Sequence, residues 1–168
     1  MSGRVSKEIE VKVPANEAWK VYGSLQLAKI VGEGLPNFFS KVEVVEGDGS
    51  AGTILHVSLP PGTGTAGLPW YKEKYTVVDD ERRVKDAEVL EGGLMDLGFT
   101  LYRYRMEVIE KEGKKGECIV RGSVEYELNE DAAANAALVS IEPLLAVMQI
   151  AADYLTQNYN TNPCRSIS

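Results

Sequence analysis

A tyrosine, a glutamate and a lysine occupy positions from which they could act together on a bound molecule. Alternate residues of a β-strand point to opposite faces of its sheet, and residues 70–78 have the composition of a strand. One face of this strand is aromatic and aliphatic apart from one carboxylate, and consists of Tyr71, Glu73, Tyr75 and Val77. In the next strand-like segment, 83–90, Lys85 shares a face with Ala87 and Val89. An acid and an amine are therefore each predicted on the less polar side of a strand.

Two interpretations of this acid and amine are open. A lysine that is removed from water has a lowered pKa, so Lys85 could both donate and accept a proton near neutral pH. In contrast, a buried glutamate–lysine pair beside tyrosines can simply be a satisfied polar cluster in the wall of a ligand pocket. The pattern thus indicates either proton-transfer chemistry or a binding cavity.

The composition sets limits on the class of protein. The 168 residues are enough for one domain with a proper hydrophobic core. With 25 acidic against 18 basic residues and a net charge of −7, the chain is not expected to bind nucleic acid. Its apolar stretches are too short to span a bilayer, and its N-terminus has no hydrophobic signal region. A cytoplasmic protein is predicted.

Metal, disulfide and phosphate sites are not expected. One histidine and two distant cysteines, Cys118 and Cys164, supply too few ligands for zinc and make a structural disulfide improbable. His56 is predicted to be exposed, on the face opposite Leu55. The glycine-rich segment 47–52 lacks the Lys-Ser/Thr of a phosphate-binding loop, and a hairpin turn at a cavity entrance is the better interpretation. No cofactor is predicted.

The periodicity predicts an α+β fold. Seven strands are expected at about 5–13, 41–46, 53–59, 69–78, 82–90, 98–110 and 117–128. Two short helices lie between the first two strands, the first with Asn16 as a candidate cap. A long C-terminal helix is predicted from Asp131, kinked at Pro143. The strands should form a curved antiparallel sheet around this helix and enclose an apolar cavity. Residues 161–168 are predicted to be a flexible tail.

Further residues are expected to line the cavity. Tyr104 shares a strand face with Tyr102 and Met106, so all three should point inward. In the long helix the apolar residues recur every three or four positions and are expected to form core or cavity wall: Leu138, Ile141, Leu145, Met148 and Ala152.

The order of elements and several motifs resemble the birch pollen allergen family, the pathogenesis-related class ten proteins. The resemblance covers the chain from Val5 to about Tyr159, and its motifs include the loop 46–53 and the turn 90–93. Within the family, the segment 71–75 and Lys85 are most similar to the norcoclaurine synthase branch, which includes norbelladine synthase. The resemblance implies a helix-grip, START-like fold over a single domain, residues 1–160.

The resemblance also implies an activity. Norcoclaurine synthase condenses dopamine with an aryl acetaldehyde in a Pictet–Spengler reaction, whereas norbelladine synthase joins its amine and aldehyde without requiring that ring closure. The catalytic tyrosine, glutamate and lysine of norcoclaurine synthase correspond to Tyr71, Glu73 and Lys85. Lys85 would then transfer protons, or less readily form a Schiff base with the aldehyde. Glu73 would stabilise a cationic iminium and remove the ring proton after cyclisation. Tyr71 would donate a hydrogen bond to the aldehyde oxygen or to a catechol hydroxyl.

One position departs from the family pattern and leaves the reaction open. Where norcoclaurine synthase has a fourth catalytic residue, an aspartate, this chain has Tyr104. A phenol can position a substrate hydroxyl but is a poor anionic base at neutral pH. Weaker ring closure is therefore expected. The other substrate-binding candidates are Tyr75, Tyr102, Met106, Leu145 and Met148.

Three functions are compatible with the resemblance. The first is an enzyme that joins an aromatic amine to an aldehyde without a cofactor, with a downstream reductase as a possible partner and a monomer or weak homodimer as its state. The second is a non-catalytic carrier of a plant hormone, flavonoid or alkaloid in the same cavity. The third, a nuclease, has little support in an acidic chain with one histidine.

Overall fold

The structure, a computed structural model, describes residues 1–62 and 67–160. The predicted tail, 161–168 with Cys164, lies outside the described residues. Over the described part, seven strands form one antiparallel sheet in the order β1-β7-β6-β5-β4-β3-β2. Their bounds are β1 Ser2–Val11, β2 Lys41–Glu46, β3 Ile54–Ser58, β4 Trp70–Asp79, β5 Val84–Gly92, β6 Phe99–Glu110 and β7 Cys118–Leu128. The helix-grip architecture is confirmed: strands β2 to β7 follow one another, and β1 pairs beside β7.

Two short helices connect β1 to β2 at opposite edges of the sheet. Helix α1 (Ala15–Tyr22) begins after Pro14, and no side chain caps it, so the prediction of Asn16 as its cap is wrong. Proline is favourable here because its fixed φ suits a helix start, where its missing N–H would have no helical partner. Helix α2 (Leu25–Gly34) is capped by the Ser24 side chain, which accepts a hydrogen bond from the backbone N–H of Gln26.

The predicted long C-terminal helix is two elements rather than one kinked helix. A 3₁₀ segment covers Glu130–Leu138, and helix α3 covers Glu142–Asn160, with their axes bent by 41°. The reason is Pro143, which occupies the first turn of α3, where a missing N–H breaks no hydrogen bond. It also disfavours helical geometry at the residue before it. The prediction that the long helix begins at Asp131 is therefore wrong.

Helix α3 packs lengthwise on the sheet near β1 and β7. Met148, Ala151, Ala152 and Leu155 are buried along its length. Gly122 of β7 allows this close approach, because a methyl group there would collide with the sulfur of Met148. Among the described residues no single helix is long and apolar enough to cross a membrane, and the 3₁₀ segment and α3 pass that test only as a bent pair.

Two β-bulges shape the sheet beside the predicted site. Tyr75 lies opposite Ala87 and Val77 opposite Asp86, so β4 contains one extra residue here. A second shift places Leu90 as an extra residue of β5. Each bulge reverses the face to which the next residues point, and Val77 is consequently 38% exposed. The prediction that Val77 faces the interior is wrong for this reason.

Candidate active site

The predicted site residues lie on three neighbouring strands and face α3. Tyr75 of β4, Ala87 of β5 and Tyr104 of β6 form one row across the sheet. Lys85 pairs with Met106 in an adjacent row, and Glu73 lies two residues before Tyr75 on β4. The side chain of Ala87 is small, so it leaves free space between the two tyrosines.

This free space belongs to two adjoining cavities. The first, which we call the inner chamber, has a volume of about 100 Å³, and its polar lining includes Tyr71, Glu73, Tyr75, Lys85 and Tyr104. The second, the outer chamber, has a volume of about 580 Å³ and extends towards the 3₁₀ segment at Leu138. Both chambers are lined by four residues in common: Phe39, Tyr71, Tyr104 and Pro143.

Lys85 is buried without a hydrogen-bond partner. Its residue is 5% exposed, and its Nζ makes no hydrogen bond to any group in the part of the chain that the structure describes. The amine lies 4.6 Å from the centroid of the Tyr75 ring, a distance at which an ammonium is attracted to the ring face. Burial lowers the pKa of Lys85 to about 8, although the nearby charge of Glu73 acts in the opposite direction. The amine is therefore ready to exchange a proton near neutral pH.

The pKa of Glu73 is raised, and it too comes close to neutral pH. Burial raises its pKa to about 7, and the charge of Lys85 opposes this shift. The described ion pairs do not include one between Glu73 and Lys85, so the two groups influence each other across the chamber without direct contact. An acid and a base whose environments bring their pKa values together at neutral pH are typical of proton-transfer sites.

The tyrosines of the site remain neutral hydrogen-bond donors. Burial raises the pKa of Tyr71 and of Tyr104 well above 10, and their side chains are joined by a hydrogen bond. Burial also raises the pKa of Tyr75, and raises that of Tyr102 to about 12. Tyr104 therefore cannot replace a carboxylate as an anionic base at neutral pH.

The structure brings most of the predicted residues together. Tyr71, Glu73, Lys85, Tyr75, Tyr104 and Met106 all line the inner chamber. Tyr102 lines the outer chamber and packs edge-on against Tyr104, with ring centroids 5.4 Å apart. Whether these residues act on a substrate in the roles given above stays a prediction.

Two predicted lining residues are placed elsewhere. Over the described residues, neither Leu145 nor Met148 lines either chamber. Met148 is fully buried in the core, and its backbone carbonyl accepts a hydrogen bond of 2.7 Å from the Tyr22 hydroxyl. Leu144 and Val147 contribute to the wall instead, because α3 begins anew at Glu142 and this sets which of its faces points to the chamber.

The lining residues that sequence reasoning missed come from other parts of the chain. Leu27 and Val31 of α2, and Phe39 after it, close the inner chamber. The only advance signal is that α2 is apolar on one side. His56 is half-buried rather than exposed, because its ring stacks on Trp70 at 5.2 Å between centroids. Among the described residues no cluster of three or more potential metal ligands occurs.

The seven-stranded sheet, the C-terminal helix and the chambers between them define a class of protein, and comparison with known sequences identifies the same class. Residues 1–157 match the pathogenesis-related protein Bet v 1 family. The chain belongs to this family.

Two groups of relatives are informative within the family. The chain is 40% identical over 157 residues to norbelladine synthase of Narcissus pseudonarcissus, covering 94% of each chain. It is 33% identical to S-norcoclaurine synthase 2 of Papaver somniferum over 88% of its own length, but spans only 63% of that protein. A solved structure of norcoclaurine synthase from Thalictrum flavum in complex with dopamine and hydroxybenzaldehyde has a TM-score of 0.82 and 33% identity, with 94% and 88% of the two chains covered.

Proposed function

We propose that this protein condenses an arylethylamine, such as dopamine or tyramine, with an aromatic aldehyde through an iminium. The observation that carries the proposal is the buried Lys85 amine, unpartnered among the described residues, beside Glu73 in an apolar chamber. A purely structural lysine at this depth would be expected to have a hydrogen-bonded partner. The solved norcoclaurine synthase structure with dopamine and hydroxybenzaldehyde supports an arylethylamine and an aromatic aldehyde as substrates.

The chamber can carry out the condensation by proton transfer. The free amine of the substrate adds to the carbonyl carbon while Tyr71 and protonated Lys85 donate hydrogen bonds to the carbonyl oxygen. In the adduct, Lys85 gives its proton to the alkoxide oxygen and takes one from the ammonium nitrogen, which leaves a neutral carbinolamine and a protonated Lys85. Lys85 then gives its proton to the carbinolamine hydroxyl, which leaves as water, and the nitrogen lone pair forms the C=N bond of the iminium. The Glu73 carboxylate stabilises this cation in the apolar surroundings. Each step is an addition, an elimination or a proton transfer, so the reaction requires no electron carrier and fits a cofactor-independent lyase.

Ring closure is the weaker part of the reaction. Among the described residues that line the inner chamber, Glu73 is the one carboxylate, and it must remove the ring proton after cyclisation if that step occurs. Tyr104 stays a neutral phenol. The open imine is therefore proposed as the main product. Because an imine hydrolyses in water, an enzyme that delivers hydride would have to consume it, and a reductase is the corresponding partner.

A second candidate function rests on the outer chamber. Its volume of about 580 Å³ is large enough for a drug-sized apolar ligand. This observation favours a carrier of hydrophobic small molecules, in which the inner chamber holds only one end of the ligand.

Incubation of the purified protein with dopamine or tyramine and a panel of aromatic aldehydes separates the two functions. We expect product, detected by mass spectrometry after borohydride reduction, with wild type and not with Lys85→Met. The profile of kcat/KM against pH should be bell-shaped, with limbs near the pKa values of about 7 for Glu73 and about 8 for Lys85. Saturable binding of the same compounds without any turnover would instead establish the carrier.

A further inference from the structure

Tyr104 lies at the boundary between the two chambers and is held there from three sides. Its hydroxyl shares a hydrogen bond with Tyr71. Its ring packs edge-on against Tyr102 at 5.4 Å between centroids and an angle of 73°. On the sheet its neighbours are Ala87 of β5 and Val124 of β7. Since Ala87 is small, it leaves the ring of Tyr104 bordering both spaces.

The volumes on the two sides of this ring are very different. A cavity of roughly 150 Å³ holds a single benzene ring, so the inner chamber, at about 100 Å³, has room for no more than one aromatic ring. The outer chamber is several times larger. A molecule with two fused rings could reach Lys85 only if the side chain at position 104 gave way.

We propose that the ring of Tyr104 is the residue that limits the substrate reaching Lys85 to a single aromatic ring, and that its hydroxyl orients Tyr71. The inference rests on the proposed function and specifies the size of one of its substrates. Ring and hydroxyl make separable contributions. The ring divides the space, and the hydroxyl holds the Tyr71 phenol in the direction from which it can donate to a carbonyl oxygen.

The test measures affinities in two matched series. Phenethylamine is compared with naphthylethylamine, and benzaldehyde with naphthaldehyde, by calorimetric titration of wild type, Tyr104→Phe and Tyr104→Leu. In one of the series, the affinity for the two-ring relative to the one-ring compound should rise at least about tenfold in Tyr104→Leu, because a misfit of even one methylene in an apolar pocket changes discrimination by roughly 10- to 200-fold. Tyr104→Phe should keep the wild-type ratio within about twofold.

Turnover supplies the readout for the hydroxyl. In Tyr104→Phe, kcat should fall about fivefold through the loss of one hydrogen bond to Tyr71, with KM almost unchanged. A rise in KM that accompanies the fall in kcat would show that the hydroxyl binds substrate rather than orienting Tyr71, and would overturn that part.

Leu138→Ala is the matched control, since Leu138 lines the outer chamber but not the inner chamber. It should leave the affinity ratio of both series within about twofold. The proposal is overturned if Tyr104→Leu leaves both ratios unchanged, or if Leu138→Ala shifts them as much. Should Tyr104→Leu fail to fold, as seen by its melting curve, a changed ratio in Tyr104→Phe overturns the proposal and an unchanged ratio with lowered kcat supports it. Absence of product in wild type would refute the proposed function, while the affinity ratios would still decide the role of Tyr104.

Discussion

Lys85 and Asp86 are neighbours in the chain and almost equally buried, but their side chains point to opposite faces of the sheet and differ in their hydrogen bonding. Their exposed fractions are 5% and 4%. Asp86 points to the side of the sheet away from α3, where Nε and Nη2 of Arg105 donate to its two carboxylate oxygens at 2.7 and 2.8 Å. Lys85 points to the chamber, and its amine has no hydrogen bond from the described residues.

The difference separates a charge that holds the sheet together from one that is available to a ligand. Two-point pairing of a carboxylate with an arginine satisfies both groups and raises the pKa of Arg105. An unpaired buried amine gains nothing for the folded state, because its desolvation is not compensated. The fold tolerates this cost beside Glu73, at a place where the sheet and α3 leave a space. The predictions below test this comparison.

The largest effect is expected from Lys85→Met. Loss of the proton donor should lower kcat/KM about 10³-fold, within the range for removal of a general acid–base group. Unfolding by urea should show equal or greater stability than wild type, because an uncompensated buried amine has been removed. If the variant is active, or is destabilised by more than about 2 kcal/mol, Lys85 stabilises the fold rather than acting in catalysis.

Filling the chamber should act almost as strongly without removing any polar group. Ala87→Leu adds three carbon atoms to the floor of a chamber of about 100 Å³, and substrate would no longer fit beside Lys85. We expect kcat/KM to fall about 10²-fold, mainly through KM, with a moderate loss of stability from overpacking. Val124→Leu, which adds one carbon atom in the same row of the sheet but outside the two chamber linings, is the control for overpacking away from the chambers. Equal losses of kcat/KM in the two variants would contradict this explanation.

The free energy of unfolding should depend on pH because burial in the site shifts the pKa values of Glu73 and Lys85. The pKa of Glu73 is raised from 4.5 to about 7 in the folded protein, so the folded state holds more protons than the unfolded state between these pH values. Stability therefore falls as pH rises through this window. We expect a decrease of about 2 kcal/mol, after allowance for the part of the side chain that is exposed to the cavity.

Urea titrations at several pH values measure this decrease, and Glu73→Gln serves as its control. The pKa of Lys85 is lowered from 10.5 to about 8, so its own contribution has the opposite sign, and stability should rise between pH 8 and 10.5. A wild type and a Glu73→Gln variant with identical profiles from pH 4.5 to 7 would show that Glu73 titrates normally.

The smallest effect is expected on the face of the sheet where Asp86 is paired with Arg105. Asp86→Asn breaks the ion pair with Arg105 and should cost about 1.5 kcal/mol of unfolding free energy, since Arg105 is half-exposed and water can solvate it. Activity should stay within about twofold of wild type.

Glu8→Gln is the comparison for this variant, because the ion pair of Glu8 with Arg121 lies in the open at 47% and 40% exposure of the side chains. It should change stability by less than about 0.5 kcal/mol. If Asp86→Asn lost activity but kept full stability, the contrast between the structural charge of Asp86 and the catalytic charge of Lys85 would be wrong.

Strand alternation was sufficient to predict the site because the extra residue of each bulge, Thr76 in β4 and Leu90 in β5, follows the catalytic candidates of its own strand. Tyr71, Glu73, Tyr75 and Lys85 all face the interior as period two requires. The same rule fails for Val77, because the bulge after Tyr75 shifts the register by one residue. A bulge depends on pairing between strands and leaves no clear mark on the sequence of one strand.

The helix could be predicted only in part. Its apolar period was clear, but the choice of Leu145 and Met148 for the cavity wall assumed one continuous helix from Asp131. Pro143 instead starts a new helix, and Leu144 and Val147 take those places. The outer chamber lies between a loop, the 3₁₀ segment and the sheet, and such a space follows from tertiary packing rather than from any local pattern.

Gly122 has a consequence for how this fold can diversify. At Gly122 the side chains of Met148 and Leu144 from α3 pack directly on the backbone of β7, whereas at β4 and β5 the inner chamber lies between the sheet and the helix. Sheet and helix thus form a wedge, closed along one edge and open along the other. Met148, which packs against Gly122, does not line the inner chamber. Mutations in the lining can therefore explore new ligands without rebuilding the contact that keeps the helix in place.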